Sequence, residues 1–266
     1  MRLTILLAAI LAVVGIGLQL VPRPATSRHV LQAYGDSILW ESASAIGPSL
    51  NARPGWAFHV HAVSGTAPCD WINQLKRDLA STNASVRPTV VMLEFTGNSW
   101  TKCMSSPSTG KLLVIGTRPW LEKYRTDFDT FFSTASARGV PTVVLRPITL
   151  DPKTTLAKGK PFADVLDNLY AVALEEADKY PLVVSNESPR RAVALNGSFS
   201  MHLPCLSDET LLKGCKPDGT ILVREPPGLH FCPVGYPKGP TVPCAVYSSG
   251  AKRFGSALAT VAHGYG

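Results

Sequence analysis

The sequence has few charged residues and no long run of one sign. Charged residues make up 17% of the 266-residue chain, and its 26 basic and 19 acidic side chains are scattered. Nucleic-acid-binding domains carry a basic patch or stripe, which is not visible here, so no nucleic-acid partner is expected. The net charge of +7 favours solubility or attraction to an anionic cell surface. Apolar residues make up 45%, which is enough for a sizeable core and excludes general disorder.

The six cysteines form no CxxC pair, and the histidines do not cluster beside them. This absence argues against a zinc site, and neither a metal nor an organic cofactor is expected. An even number of cysteines instead fits disulfides formed in an oxidising compartment. The number alone leaves the pairing open. The cysteines are Cys69, Cys103, Cys205, Cys215, Cys232 and Cys244.

The amino terminus indicates export. Arg2 precedes an uncharged apolar run, LTILLAAILAVVGIGLQL, at residues 3–20. A positive start followed by such a run is typical of a signal peptide, and VPRPA offers a weak cleavage site near Ala25. The run also approaches the roughly 20 apolar residues that span a bilayer, so residues 1–25 are either a signal peptide or an uncleaved membrane anchor. Both interpretations place the remaining protein outside the cytoplasm, secreted or anchored to the outer face of the membrane.

Strand-like and helix-like segments alternate along the rest of the chain. The predicted strands are His29–Tyr34, Phe58–Val63, Thr89–Phe95, Pro141–Arg146 and a weaker one at Leu182–Ser185 or Ala192–Leu195. The predicted helices are Ile38–Leu50, Trp71–Ser81, Pro119–Arg138, Phe162–Lys179 and Ala251–His263, the last capped by Ser248 or Ser249.

This alternation predicts an α/β fold, a three-layer α/β/α sandwich with a mostly parallel central sheet. No linker or repeat divides residues 26–266, so they are expected to form one domain. The stretch from about 204 to 244 breaks the pattern, because it holds four of the cysteines and many prolines. We expect a long disulfide-stapled loop there.

Ligands of parallel sheets bind at the carboxyl ends of the strands, so the residues after each strand are candidates for an active site. Three strands end in Gly35-Asp36-Ser37, Ser64-Gly65-Thr66 and Thr96-Gly97-Asn98, and a late segment, VREPPGLHFCP, contains His230. From about residue 30 to the end, these four blocks in this order resemble the SGNH, or GDSL, hydrolase superfamily, which implies its flavodoxin-like fold. The closing YSSGAKRFGSALA is similar to the terminal helix of exported actinobacterial members.

The resemblance implies a role for each block. Acyl transfer needs a nucleophile, a base and donors for an oxyanion. Ser37 would be the nucleophile and His230 the general base. The oxyanion hole would consist of the backbone N–H groups of Ser37 and Gly65 and the side-chain amide of Asn98.

One position departs from the family. Pro227 stands three residues before His230, where the family has an aspartate that orients the histidine ring. A backbone carbonyl is the favoured substitute. Glu225 or Asp218 could also reach the ring, and a weakened enzyme is a further alternative, because a misoriented histidine costs orders of magnitude in rate.

The same resemblance suggests a disulfide pairing. If the Gly65 and Asn98 turns flank one pocket, Cys69 and Cys103 are neighbours and a bridge between them would brace the oxyanion loops. The remaining pairs would then be local, Cys205–Cys215 and Cys232–Cys244.

These expectations combine into an exported serine esterase, or acyl hydrolase, that works through an acyl-enzyme on Ser37. The family resemblance, together with the expected export, implies that the substrates are O-acyl esters of cell-envelope carbohydrate or lipid. Two alternatives stay open: an O-acyltransferase that uses the same residues, and a non-catalytic envelope-binding module, which the missing aspartate motivates.

Overall fold

A computed structural model describes residues 29–156, 159–226, 228–232, 244 and 247–266. The amino-terminal segment that the sequence predicts to be a signal peptide or anchor lies outside these residues. Among the helices of the described ranges, none is long and apolar enough to cross a membrane.

The centre of the molecule is a parallel sheet of five strands in the order β2-β1-β3-β4-β5. This is the flavodoxin-like strand order. The chain adds β2 on one side of β1 and β3 on the other, so the topological switch point lies between β1 and β3. Adjacent strands run parallel in continuous register, for example Leu31 opposite Phe58 on one side and Val90 on the other. The strands are β1 (His29–Gly35), β2 (Trp56–Ala62), β3 (Val90–Glu94), β4 (Thr142–Leu145) and β5 (Val183–Asn186).

Helices cover both faces of this sheet, which confirms the predicted three-layer α/β/α architecture. On one side α1 packs against α6, which also contacts α5, and on the other α3 packs between α2 and α4. The helices are α1 (Ser37–Asn51), α2 (Pro68–Ala80), α3 (Arg118–Ser136), α4 (Phe162–Ala177), α5 (Ser188–Ala192) and α6 (Ser249–Ala262).

Burial explains the sequence pattern of the strands. All of β3 and β4, and all but the first residue of β1, are buried, because helices cover both faces of the central strands. The edge strands β2 and β5 keep exposed positions such as Val60 and Val184. Aromatic side chains of α3 fill much of the space against the sheet, among them Tyr124, Phe131 and Phe132.

The weaker strand prediction is resolved in favour of its first alternative. β5 occupies Val183–Asn186, whereas Ala192 ends the short helix α5, and neither it nor residues 193–195 join the sheet. Ser248 caps α6 as predicted, since its side chain accepts a hydrogen bond from the Ala251 N–H.

The stapled region contains more regular structure than predicted. Two short strands, β6 (His202–Pro204) and β7 (Thr220–Leu222), pair antiparallel at the base of the Cys205–Cys215 loop. The predicted disulfides Cys69–Cys103, Cys205–Cys215 and Cys232–Cys244 are all present.

Glu209 ties the stapled region to α6. Its buried carboxylate lies 2.6 Å from Arg253 and accepts from the Tyr247 hydroxyl and the Ser249 hydroxyl. Burial raises the pKa of Glu209, but the Arg253 guanidinium and the surrounding donors outweigh it and hold the pKa at about 2. The carboxylate is therefore ionised, and it fixes this region against the body of the domain.

Candidate active site

Ser37 lies at the junction of β1 and α1, where the chain turns sharply. A Cβ on Gly35 would come within 2.5 Å of the Glu94 carbonyl oxygen and 2.8 Å of the Leu39 side chain, so this approach of β1 to β3 and α1 requires glycine. Asp36 then caps α1 by accepting from the Ile38 N–H. The result is a serine held at the helix start, where backbone N–H groups favour developing negative charge.

Asp36 also connects this turn to the end of β3. One of its carboxylate oxygens accepts from the Thr96 N–H at 2.6 Å and from the Asn98 side-chain amide at 2.8 Å. The Tyr124 hydroxyl donates to the Asn98 carbonyl. Because the amide of Asn98 has two N–H groups, its bond to Asp36 leaves one that can donate to a ligand.

Glu94 lies beneath the same turn. Its carboxyl accepts from the Leu39 N–H. Burial, followed by the charge of Asp36, raises the pKa of Glu94 well above its usual range. The raised pKa favours the protonated form of Glu94, which avoids placing a second buried charge beside Asp36.

The Gly65 turn completes the row of loops at this edge of the sheet. Gly65 has a φ of 85°, a left-handed conformation that favours glycine. The Thr66 hydroxyl donates to the carbonyls of Gly35 and Val63, which fixes the turn against the end of β1. Close by, Cys69–Cys103 links the start of α2 to the chain that follows Asn98.

One pocket of about 530 Å³ joins the sequence-predicted positions. Ser37, Gly65, Asn98 and His230 all line it, so the structure brings together four residues that the sequence spreads over nearly 200 positions. The remaining walls are largely apolar. Its other lining residues are Ser64, Thr96, Trp100, Ile115, Leu156, Phe162 and Leu229.

The carboxylate that meets the histidine ring is Glu41. The His230 Nδ1 lies 2.6 Å from one Glu41 oxygen, and the other oxygen accepts from the backbone N–H of Phe231 at 2.6 Å and of Cys232 at 3.3 Å. Glu41 is buried and lies one helical turn after Ser37, on the same face of α1. Its carboxylate therefore holds both the ring and the loop that carries it.

This arrangement replaces the expected partners of His230. The favoured backbone carbonyl does not occupy Nδ1, since Glu41 does. The Asp218 side chain instead accepts from the N–H and hydroxyl of Thr220. Glu225 contacts His230 through the backbone, where its N–H donates to the His230 carbonyl, and its carboxylate makes no hydrogen bond to the ring. Pro227 lies outside the described residues.

The Glu41 contact sets the protonation of His230. Burial lowers the pKa of His230, but the hydrogen bond and the charge of Glu41 outweigh it and raise the pKa above its usual value. A carboxylate can only accept, so Nδ1 carries the proton and Nε2 is the atom available as a base. Within the described part of the chain, Ser37 and His230 share the pocket without a hydrogen bond between them. Catalytic hydrogen bonds are often long before substrate binds.

Arg224 adds a buried positive charge beneath the site. Its side chain is fully buried, stacks 4.5 Å from the centre of the Phe231 ring, and has no hydrogen-bond partner among the described residues. Burial lowers the pKa of Arg224 to about 9, and the negative charge of Glu41 partly opposes that shift. With a pKa of about 9, the guanidinium is still charged at neutral pH and offsets the charge of Glu41.

Sequence reasoning did not find Glu41 or Arg224, although a signal existed for Glu41. It is the sole charged residue of α1 and stands four positions after Ser37, the spacing of one helix face. Among the described residues, one group of side chains has the spacing of metal ligands, and it does not include Glu41. Cys69, Asp70 and Cys103 lie within ligand distance of one another, but the two sulfurs are bonded to each other.

No protein-family model and no curated protein matches the chain. Solved structures show a distant likeness. The acetyl xylan esterase AlAXEase is 12% identical with a TM-score of 0.49, over 87% of this chain and 98% of that one. A GDSL-like lipase from Bacteroides thetaiotaomicron is 11% identical with a TM-score of 0.46, over 91% of each chain. A likeness at this level carries no argument about activity, so the proposal below rests on the site itself.

Proposed function

We propose that this protein is an exported serine esterase of the SGNH type, which cleaves carboxylic esters through an acyl-enzyme on Ser37. The observation that supports it most strongly is the Glu41–His230 contact at 2.6 Å, in the pocket that Ser37, Gly65 and Asn98 also line. In this proposal, these residues supply the nucleophile, base, orienting carboxylate and oxyanion donors that acyl transfer needs.

The proposed reaction has two halves. The His230 Nε2 takes the Ser37 hydroxyl proton while Oγ bonds to the ester carbonyl carbon, and the displaced electron pair makes the carbonyl oxygen an oxyanion. Donors on Ser37, Gly65 and Asn98 stabilise that oxyanion. When the carbonyl reforms, the alcohol leaves with the proton from His230. Water then repeats the sequence on the acyl-enzyme and releases the acid.

Glu41 would play the same role in both halves. Its carboxylate fixes the ring with Nδ1–H turned inward and stabilises the imidazolium that forms when Nε2 accepts the proton. Arg224 lies near enough to lower the pKa of His230 slightly, which opposes the larger effect of Glu41.

The pocket wall suggests the kind of ester. Much of the pocket lining is apolar and consists of Trp100, Ile115, Leu156, Phe162 and Leu229. Such a wall favours an acyl group with hydrocarbon over a charged one. We propose O-acyl esters of cell-envelope carbohydrate or lipid as substrates, on the basis of the family resemblance and the expected export. The three disulfides and the apolar amino terminus support an extracytoplasmic location.

Hydrolysis of 4-nitrophenyl esters from acetyl to dodecanoyl tests the proposal. We expect parent activity on at least part of the series and a loss of about 10³-fold or more in kcat for Ser37→Ala and for His230→Ala. Ser207→Ala, an exposed serine on the stapled loop, is the matched control and should retain parent activity. Parent-level turnover by Ser37→Ala would exclude the mechanism.

Product analysis separates hydrolysis from acyl transfer. In the presence of a sugar acceptor, a hydrolase releases free acid, whereas an acyltransferase forms a new sugar ester. The complete Glu41–His230 pair argues against a purely binding role, because a binding module has no need for a buried carboxylate on a pocket histidine.

A further inference from the structure

The chain between β3 and α3 exposes large apolar side chains beside the pocket. Trp100 is 71% exposed, Val114 65% and Leu112 44%. We call these three residues the apolar rim. Trp100 and Ile115, the neighbour of Val114, both line the pocket, so the rim is continuous with the pocket mouth.

Local contacts hold the rim together. The Ser99 hydroxyl donates to the Leu113 carbonyl, which places Trp100 beside Val114. Ser105 and Leu112 form an antiparallel bridge, and Leu113 packs on the core while its neighbours face outward. Cys69–Cys103 fixes the segment to α2. The exposure of the rim is therefore built into an ordered loop.

The charged side chains of the segment between β3 and α3 have one sign, although the Asp70 carboxylate of α2 lies beside this segment and accepts from the Thr101 hydroxyl. No aspartate or glutamate occurs between Glu94 and Glu122, while Lys102, Lys111 and Arg118 fall in this interval and are exposed. None of these three cations forms an ion pair with another described residue. Exposed tryptophan and aliphatic side chains with cations around them suit the boundary between anionic headgroups and acyl chains.

We propose that the apolar rim and its three cations form a docking surface for an anionic lipid bilayer. The rim would enter the acyl boundary while Lys102, Lys111 and Arg118 contact the headgroups. A bilayer fits better than a protein partner because the face combines highly exposed apolar side chains with cations that have no ion-pair partner among the described residues. Docking would set the pocket mouth at the membrane surface, within reach of ester-bearing amphiphiles. That last link rests on the proposed function, whereas docking itself does not.

Quenching of tryptophan fluorescence by brominated lipids tests the docking directly. Trp56 and Trp120 are buried, and Trp100 is the most exposed tryptophan among the described residues. Full-length protein is titrated with vesicles of brominated phosphatidylglycerol or brominated phosphatidylcholine. We expect quenching by the anionic vesicles, little by the neutral ones, and loss of the signal in Trp100→Phe.

The cations are tested by charge reversal. Lys102→Glu, Lys111→Glu and Arg118→Glu together should lower the apparent affinity for anionic vesicles by at least about tenfold. The matched control reverses three exposed cations elsewhere, Arg53→Glu, Lys76→Glu and Arg138→Glu, with the same change in net charge. It should stay within about twofold of the parent.

Several outcomes would overturn the docking surface: no quenching by either lipid, equal quenching in Trp100→Phe, or an equal loss in the control triple variant. Equal quenching by neutral vesicles would remove the role of the cations. Ser37→Ala should be quenched like the parent. Docking without any Ser37-dependent ester cleavage would leave this inference intact and refute the proposed function.

Discussion

At the scale of single residues, the site depends on a contact between positions 189 apart in the sequence. The Ser37, Gly65, Asn98 and His230 positions could be predicted, because each belongs to a short block with recognisable chemistry. Glu41 was missed, because the expectation placed the orienting group near His230 in sequence. Only the packing of the late loop on α1 brings Glu41 to the ring.

Replacing Glu41 with Gln tests its role in orienting His230. The amide keeps the shape but removes the charge, so kcat should fall on the order of 10³-fold. In the parent, Glu41 raises the pKa of His230, and the base must be neutral, so the acid limb of kcat/KM should lie above pH 6.5. In Glu41→Gln that limb should move to lower pH.

A pH–rate profile of both proteins decides this point, with near-ultraviolet circular dichroism as the check on folding. A Glu41→Gln protein that is folded but keeps the parent rate and the parent acid limb would show that Glu41 does not act on the ring. A merely structural role would lower stability without moving the limb.

Asn98→Ala tests the oxyanion donor. Loss of one such donor costs about 10²- to 10³-fold in kcat, with a smaller change in KM, because the hydrogen bond strengthens in the transition state. Steady-state kinetics on an activated ester measure kcat and KM separately. A rise in KM with unchanged kcat would instead place Asn98 in ground-state binding.

At the scale of elements, the candidate active site lies at the edge of the sheet where the carboxyl ends of β1 and β3 meet, so its position depends on where these two strands end. Glycine and polar residues at both strand ends could be read from the sequence, and the parallel order explains why they meet. The buried pair of acids behind them could not be predicted as a unit, because Asp36 and Glu94 become neighbours only when β1 pairs with β3 in the observed register.

Glu94→Gln tests the protonation of this pair. The pKa of Glu94 is raised in the folded state, so its contribution is complete below the unfolded pKa and declines as pH rises, because the unfolded chain releases the proton first. Urea unfolding from pH 5 to 8 should show a decline in the parent of at most about 1.4 kcal/mol per pH unit from this group. The decline should be weaker in Glu94→Gln, and an equal slope in both would contradict a raised pKa.

At the scale of the whole molecule, the layer architecture and the disulfide pairing followed from the sequence and its family resemblance. The alternation of segments is a local signal, and the central strands carry it clearly because both their faces are covered. The β6–β7 pair and the ion pair between Glu209 and Arg253 of α6 were not predictable. Both depend on how the stapled region packs against the rest of the domain.

Two of the disulfides, Cys69–Cys103 and Cys205–Cys215, should differ in their effect on stability. Cys69–Cys103 closes a separation of 34 residues and Cys205–Cys215 one of 10. Loop-closure entropy predicts a loss of about 4 kcal/mol for Cys69→Ser with Cys103→Ser and about 3 kcal/mol for Cys205→Ser with Cys215→Ser.

Denaturant unfolding measures both losses, and ester turnover supplies a second readout. Because Cys69–Cys103 braces the loops of Gly65 and Asn98, its removal should also lower kcat under conditions where the variant is folded. The Cys205–Cys215 variant is the control and should keep its turnover. Equal activity in both variants would contradict the bracing role.

The central claim is that the Ser37 hydroxyl is the nucleophile and that the Glu41–His230 pair activates it. Covalent labelling with a fluorophosphonate, followed by peptide mass mapping, tests this most directly. The account predicts one phosphonylated residue, Ser37, with labelling abolished in Ser37→Ala and strongly slowed in His230→Ala and Glu41→Gln. Label on another residue, or equal labelling of Ser37→Ala, would contradict it.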